Sequence, residues 1–220
     1  MVKKLEEKLI LDPNITEQKR ETLVDFCEKL LNYGYEPSFI AGILGNIKYE
    51  GCVGLFENSF YRNKTRKPAY LKNMEKYDYD KKYSLKYIYD DFSLFELRDL
   101  LEELKINKFT ARFGLGAAQW TGNRTYRLMH FYLEETGLKE KISKEQTTSA
   151  EMKLLLNELI YDEEYNKIYP EWKEKNKNLN TEDAAYNAGV LFCKGFEKPK
   201  VDKSKERGNE SKKLYNFMIS

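Results

Sequence analysis

The chain has 220 residues, 41% of them hydrophobic, which is enough to supply a buried core and excludes a disordered protein. Its 38 Lys and Arg stand against 36 Asp and Glu, a formal net charge of +2, so no overall attraction to nucleic acid or lipid phosphates is built in. Three scattered cysteines (Cys27, Cys52, Cys193) and a single histidine, His130, exclude a disulfide framework and a metal site of nitrogen and sulfur ligands; no metal and no cofactor is expected.

No run approaches the roughly 18 apolar residues a membrane span needs, and Met1-Val-Lys-Lys-Leu-Glu-Glu lacks the apolar stretch of a signal peptide. A soluble chain of cytoplasmic synthesis is expected, without stable membrane insertion. In chain order, Thr16 to Tyr33 places Leu23, Phe26, Cys27, Leu30 and Leu31 at helical spacing, and Gly34 is suited to stop that helix in a left-handed turn. Pro37 or Ser38 opens a second helix running to Glu50, with Phe39, Ile40, Ile43, Leu44 and Ile47 on one stripe. Ala41, Gly42 and Gly45 lower its helix propensity, which makes sense if another backbone packs closely there.

From Gly51 to about Asp91 the periodicity fades into Tyr- and Lys-rich sequence, read as an insert with one small hairpin. Ser93-Leu-Phe-Glu96 is a capping box ahead of Leu97, Leu100, Leu101 and Leu104, so a helix is expected to about Lys105. Further helices are expected from about Asn123 to Thr136 with a stop at Gly137, from Ser149 to Tyr161, around Pro170-Glu-Trp172, from Thr181 to about Cys193, and from Lys203 to Phe217. The polar Lys173 to Asn180 stretch reads as a loop. The expectation is a mainly α (α+β) chain, a single domain over residues 1–220 with a small β-containing or irregular insert at about 51–91.

Among groups that carry chemistry, carboxylates remain. Glu50 ends an apolar helix at a turn made by Gly51 and Gly54, where desolvation favours the neutral acid and suits a general acid. Phe113-Gly-Leu-Gly-Ala-Ala-Gln119-Trp120 sets small residues before an amide and an indole, the composition of a carbohydrate cleft floor, with Trp120 able to stack on a sugar. A tight turn around a buried Trp is the competing reading. Ala184-Ala-Tyr186-Asn187-Ala-Gly189 carries a phenol and an amide between small residues, which also suits plain helix packing. A Cys52 nucleophile with His130 as base is a further formal alternative. In the insert, Tyr77, Tyr79, Tyr83, Tyr87 and Tyr89 fall on odd positions, as glycan contacts or as core, and Lys64, Arg66, Lys67, Lys72, Lys81 and Lys82 give a local basic bias.

Ala41-Gly-Ile-Leu-Gly-Asn-Ile-Lys-Tyr-Glu50, Gly114-Leu-Gly-Ala-Ala-Gln119-Trp120-Thr-Gly, and Phe196-Glu-Lys-Pro199 with Arg207-Gly-Asn-Glu-Ser-Lys-Lys-Leu-Tyr215 resemble the phage tail lysozyme family of peptidoglycan hydrolases over roughly residues 18 to 218. Ala185-Tyr-Asn-Ala-Gly189 is similar to the motif of lytic transglycosylases related to goose-type lysozyme. The resemblance implies a lysozyme-like fold with a cleft between helical lobes, and cleavage of the β-1,4 bond between N-acetylmuramic acid and N-acetylglucosamine. It implies Glu50 as the acid, Gln119 and Trp120 in a glycan-contacting segment, and Tyr186 and Asn187 in the transglycosylase motif. Relatives usually carry Ser after the catalytic Glu, whereas Gly51 follows here.

A second carboxylate about 5–5.5 Å away would act as nucleophile, and one about 6.5–9.5 Å away would leave room for water. Glu57 is the favoured candidate, with Asp78 or Asp80 as others. If none is needed, the 6-hydroxyl of muramic acid attacks instead and leaves a 1,6-anhydro end. The rival from another class is an inactive glycan-binding or assembly module of a phage tail or secretion system. The expected partner is peptidoglycan, not nucleic acid, and the expected setting is a phage or prophage endolysin released with a holin-like membrane protein, or a virion component.

Overall fold

The computed structural model describes residues 1–56, 87–91, 114–137 and 139–220. The chain divides into two compact units, one of Met1–Glu50 with Leu155–Ser220, the other of Gly51–Leu154. Among the described residues the structure is mainly helical, with β-type pairing confined to three isolated antiparallel bridges. The expected helix at 93–105 and most of the tyrosine-rich and basic insert, except Tyr87 and Tyr89, lie outside the described residues.

The first unit holds α1 (Val2–Ile10), α2 (Glu17–Asn32) and α3 (Pro37–Ile47). No helix was expected at α1, yet Leu5 and Leu9, one turn apart, are buried on one face. Thr16 caps α2 by accepting from Lys19 N–H at 3.3 Å, and Gly34 follows it at φ +87°. Pro37 opens α3, and every residue from Ser38 to Ile47 is buried. α3 stops at Ile47, three residues short of the expected end, because the apolar stripe ends there and Lys19 Nζ takes the Ile47 carbonyl at 2.8 Å.

The rest of this unit comprises the end of α6 (Lys144–Tyr161, which starts in the second unit), α7 (Ile168–Lys175), α8 (Glu182–Phe192) with a π-turn at Cys193–Glu197, and α9 (Ser204–Ile219). The close backbone approach expected from the small residues of α3 is present on two sides. A Cβ at Gly42 would lie 2.7 Å from the Ala188 carbonyl carbon of α8, and one at Gly45 would meet Ser211 and lie 3.1 Å from the Arg207 carbonyl oxygen of α9. Gly189 of α8 is equally tight against Ser211 and the Arg207 carbonyl, at 2.8 Å from the latter. Three helices thus meet through glycines, and Asn46 locks two of them by donating to the Gly42 and Gly189 carbonyls at 2.9 and 3.1 Å. Phe39 packs against Tyr35, Tyr169 and Trp172 at one end, and Trp172 donates to the Ala184 carbonyl at 2.8 Å.

The second unit contains α4 (Ile88–Asp91), α5 (Asn123–Thr136) and the beginning of α6. α5 stops at Gly137, φ +61°, at the expected place. α6 begins five residues before the expected Ser149, since Ser143 and Gln146 form a reciprocal cap: Gln146 N–H donates to Ser143 Oγ at 3.2 Å and Ser143 N–H to Gln146 Oε1 at 3.1 Å. The bridges join Leu55 with Tyr87, Phe56 with Leu115, and Leu115 with Trp120.

Candidate active site

Glu50 lies in the turn beyond α3, where Tyr49 N–H donates to the Asn46 carbonyl at 3.0 Å and Glu50 N–H to the Ile47 carbonyl at 3.1 Å. Its Oε1 accepts from Arg207 Nη2 of α9 at 2.8 Å. The Glu50 side chain keeps 26% of its surface exposed while that of Arg207 keeps 8%, so the cation is the buried partner and the carboxylate the accessible one. Arg207 also lies over the Tyr49 ring, 4.1 Å from its centroid, and its Nε is buried without a hydrogen-bond partner among the described residues. Tyr49 donates to Glu210 Oε2 at 3.2 Å, and Glu210 Oε1 takes Lys48 Nζ at 2.7 Å. Burial first, and then the Glu210 charge, raises the Tyr49 phenol pKa and keeps it a donor. Lys48, Tyr49 and Glu50 are therefore all tied to α9. Arg207 stood in the sequence motif without a role, because only the tertiary packing of α9 reveals its partner.

Tyr186 of α8 joins the same neighbourhood. Its ring packs on Gly208, the residue after Arg207, where a Cβ would come within 2.6 Å of a ring carbon, and Lys212 Nζ lies 5.6 Å from the ring centroid. Asn187 points its amide elsewhere, donating to Asn176 Oδ1 at 2.8 Å and tying α8 to the loop after α7.

In the second unit, Gly116–Gln119 form a four-residue loop closed by paired bonds between Leu115 and Trp120, at 3.0 and 3.1 Å. Gly116 has φ +80° and Gln119 φ +47°, an unusual conformation for a side-chain-bearing residue. Gln119 Nε2 donates to the Gly116 and Leu55 carbonyls at 2.8 and 3.2 Å, so its amide hydrogens stitch loops together. Trp120 is 0% exposed, its ring packed inside the turn. The buried-Trp reading of this turn is the one the structure carries.

Gly51 has a packing reason. Its N–H donates to the Ala117 carbonyl at 2.9 Å, and a Cβ there would collide with the Gly116 carbonyl oxygen and lie 2.5 Å from Gln119 Nε2. No serine side chain fits at this position. Cys52 is buried and hydrogen-bonded with Tyr87, whereas His130 is exposed and packs edge-on against Tyr126, so they form no nucleophile and base pair. Glu57, Asp78 and Asp80 lie outside the described residues.

Two buried acids were not anticipated, Glu151 and Glu158 of α6, both 0% exposed. Glu151 accepts from Gly54 N–H at 2.6 Å, Ala117 N–H at 2.8 Å and Tyr132 Oη at 2.7 Å. Burial pushes its carboxyl up to about 7, against the opposing pull of the Ala117, Tyr132 and Gly54 donors. The available signal was its place on the buried stripe of α6, between Thr147 and Leu154 or Leu155.

Among the described residues no cluster of three or more His, Cys, Asp or Glu side chains could hold a metal ion, and no helix is long and apolar enough to cross a membrane. A family model described as phage tail lysozyme matches residues 21–218. No curated protein and no solved structure matches the chain.

Proposed function

The chain belongs to the phage tail lysozyme family, and so is in general terms a lysozyme-like peptidoglycan hydrolase; from that premise we propose that it is an N-acetylmuramidase, cleaving the β-1,4 bond between N-acetylmuramic acid and N-acetylglucosamine with Glu50 as general acid. The observation that supports this is the state of Glu50: one carboxylate oxygen anchored by a buried guanidinium, with the side chain still open to a substrate. Such a group is held in a fixed orientation and left accessible to a glycosidic oxygen, the placement that a general acid needs. Glu57 is proposed as the second carboxylate. Gln119, Tyr186 and Asn187 remain proposed glycan contacts, while Trp120 contributes by supporting the loop from within.

Tyr186 favours a second reading. Its ring rests on the residue beside Arg207, close to the anchor of the proposed acid, where a phenol could assist attack by the muramoyl 6-hydroxyl and give 1,6-anhydro ends. An inactive glycan-binding module is the alternative that a missing serine at position 51 would favour, and the contact with Gly116 gives that absence a packing reason instead. The wall lysis is proposed to serve a phage or prophage, with release through a holin-like protein or carriage in the virion.

Turbidity loss of purified walls, measured for the wild type and Glu50→Gln, tests the assignment. Removing a general acid lowers the rate by about 10²- to 10⁴-fold at unchanged folding; undiminished lysis by the variant would refute Glu50. Mass spectrometry of the released muropeptides separates the two readings, hydrated reducing ends supporting hydrolysis and anhydro ends the transglycosylase.

A further inference from the structure

We propose that Glu151 is a positioning residue for the lysozyme reaction, its buried carboxylate clipping the segment that follows Glu50 to the Gly114–Gln119 loop. The proposal rests on the reading of Glu50 as the acid. Helices satisfy their own backbone groups, but these two segments are irregular and depend on one another. Gly51 N–H reaches the Ala117 carbonyl and Gly116 N–H reaches the Leu55 carbonyl, both at 2.9 Å. Two further donors, Gly54 N–H and Ala117 N–H, both end on Glu151, one on each carboxylate oxygen. Gly116 lets the loop close on this group, since a Cβ there would lie 2.7 Å from the carboxyl carbon. Gly51 is bonded directly to Glu50, so the segment that Glu151 holds is the one that begins at the proposed acid.

The donor set suits the ionised carboxylate. Two backbone N–H groups and the Tyr132 hydroxyl all donate to it, whereas a neutral acid carries a proton that, of these three partners, only the Tyr132 oxygen could accept, at the cost of the hydroxyl's own donation. Among the described residues, Tyr132, from α5, is the titratable side chain that hydrogen-bonds Glu151. Its phenol is pushed well above its ordinary value by burial and by the Glu151 charge, so it stays protonated throughout the neutral range. With the Glu151 carboxyl raised to about 7, the clip tightens as the pH rises through neutrality.

Wild type, Glu151→Gln and Tyr132→Phe are compared for kcat and KM on purified peptidoglycan across pH, and for amide hydrogen exchange at Gly54 and Ala117. Glutamine keeps one acceptor oxygen but sets an NH₂ against a backbone N–H. Glu151→Gln, folded by far-UV circular dichroism, is expected to lose about tenfold or more in kcat at a KM changed by less than about twofold. Its pH profile should lack the limb near 7, and Gly54 or Ala117 should exchange faster. Tyr132→Phe, which removes a donor to the charged form, should move that limb to higher pH. A folded Glu151→Gln with the wild-type profile and wild-type exchange would overturn the proposal, as would an unmoved limb in Tyr132→Phe if the glutamine variant does not fold. Absence of lysis by the wild type would instead sink the proposed function, and the exchange rates would still decide whether Glu151 clips the two loops.

Discussion

A carboxylate at a helix end is common, and what distinguishes Glu50 is the guanidinium that holds it. Arg207 contributes a planar fork, one nitrogen on Glu50 and its face on Tyr49. Lysine would retain the charge but neither the fork nor the stacking. Arg207→Lys is therefore expected to cost about 10- to 100-fold in kcat through misplacement of the acid, with KM little changed. Steady-state kinetics on soluble glycan fragments would check it, and wild-type kcat in the variant would show that the anchor is dispensable. The Glu50 motif was readable from sequence. Its partner was not, since 157 positions separate the two residues and only packing joins them.

At the scale of elements, the glycines of α3 and α8 set how closely three helices meet. A methyl at Gly45 has to displace Ser211 and the backbone of α9, and interiors at crystal-like density yield little. Gly45→Ala is expected to destabilise by about 1–3 kcal/mol, despite alanine's better helix propensity. Urea unfolding would test this, and a variant at or above wild-type stability would show that α9 can retreat. Most helices were legible because their apolar spacing and caps are local signals, as with Thr16, Thr181 and Gly137. The missed starts have local causes as well: α1 carries only Leu5 and Leu9 on its buried face, and the Ser143 and Gln146 cap lies ahead of the apolar run that marks α6.

At the scale of the whole molecule, Asp12 and Glu151, the acids with the largest shifts among the described residues, set opposite pH dependences. Lys213 first, and then the Asn14 N–H, hold Asp12 down to about 2 from an ordinary 3.8, so the stability it contributes is present above 3.8 and is lost as the pH falls towards 2. Glu151 is raised to about 7 from 4.5. The folded state then binds the extra proton between those values, and stability declines as the pH rises from 4.5 to 7. The unfolding temperature is thus expected to be highest near pH 4–5. Scanning calorimetry from pH 2.5 to 8 would show it, with Glu151→Gln flattening the neutral side and Asp12→Asn the acid side. A neutral side that persists unchanged in Glu151→Gln would place its origin in another group.

The sequence by itself determined the mainly helical class, most helix positions, the family and the candidate acid, because periodicity, caps and short motifs are properties of neighbouring residues. Tertiary structure alone decided that Arg207 anchors Glu50, that Trp120 is core, that Gly51 has no room for a side chain, and that Glu151 holds two loops. Each of these depends on a distance between residues remote in the chain, and burial and hydrogen-bond partnership at such positions are settled only when the helices and loops pack.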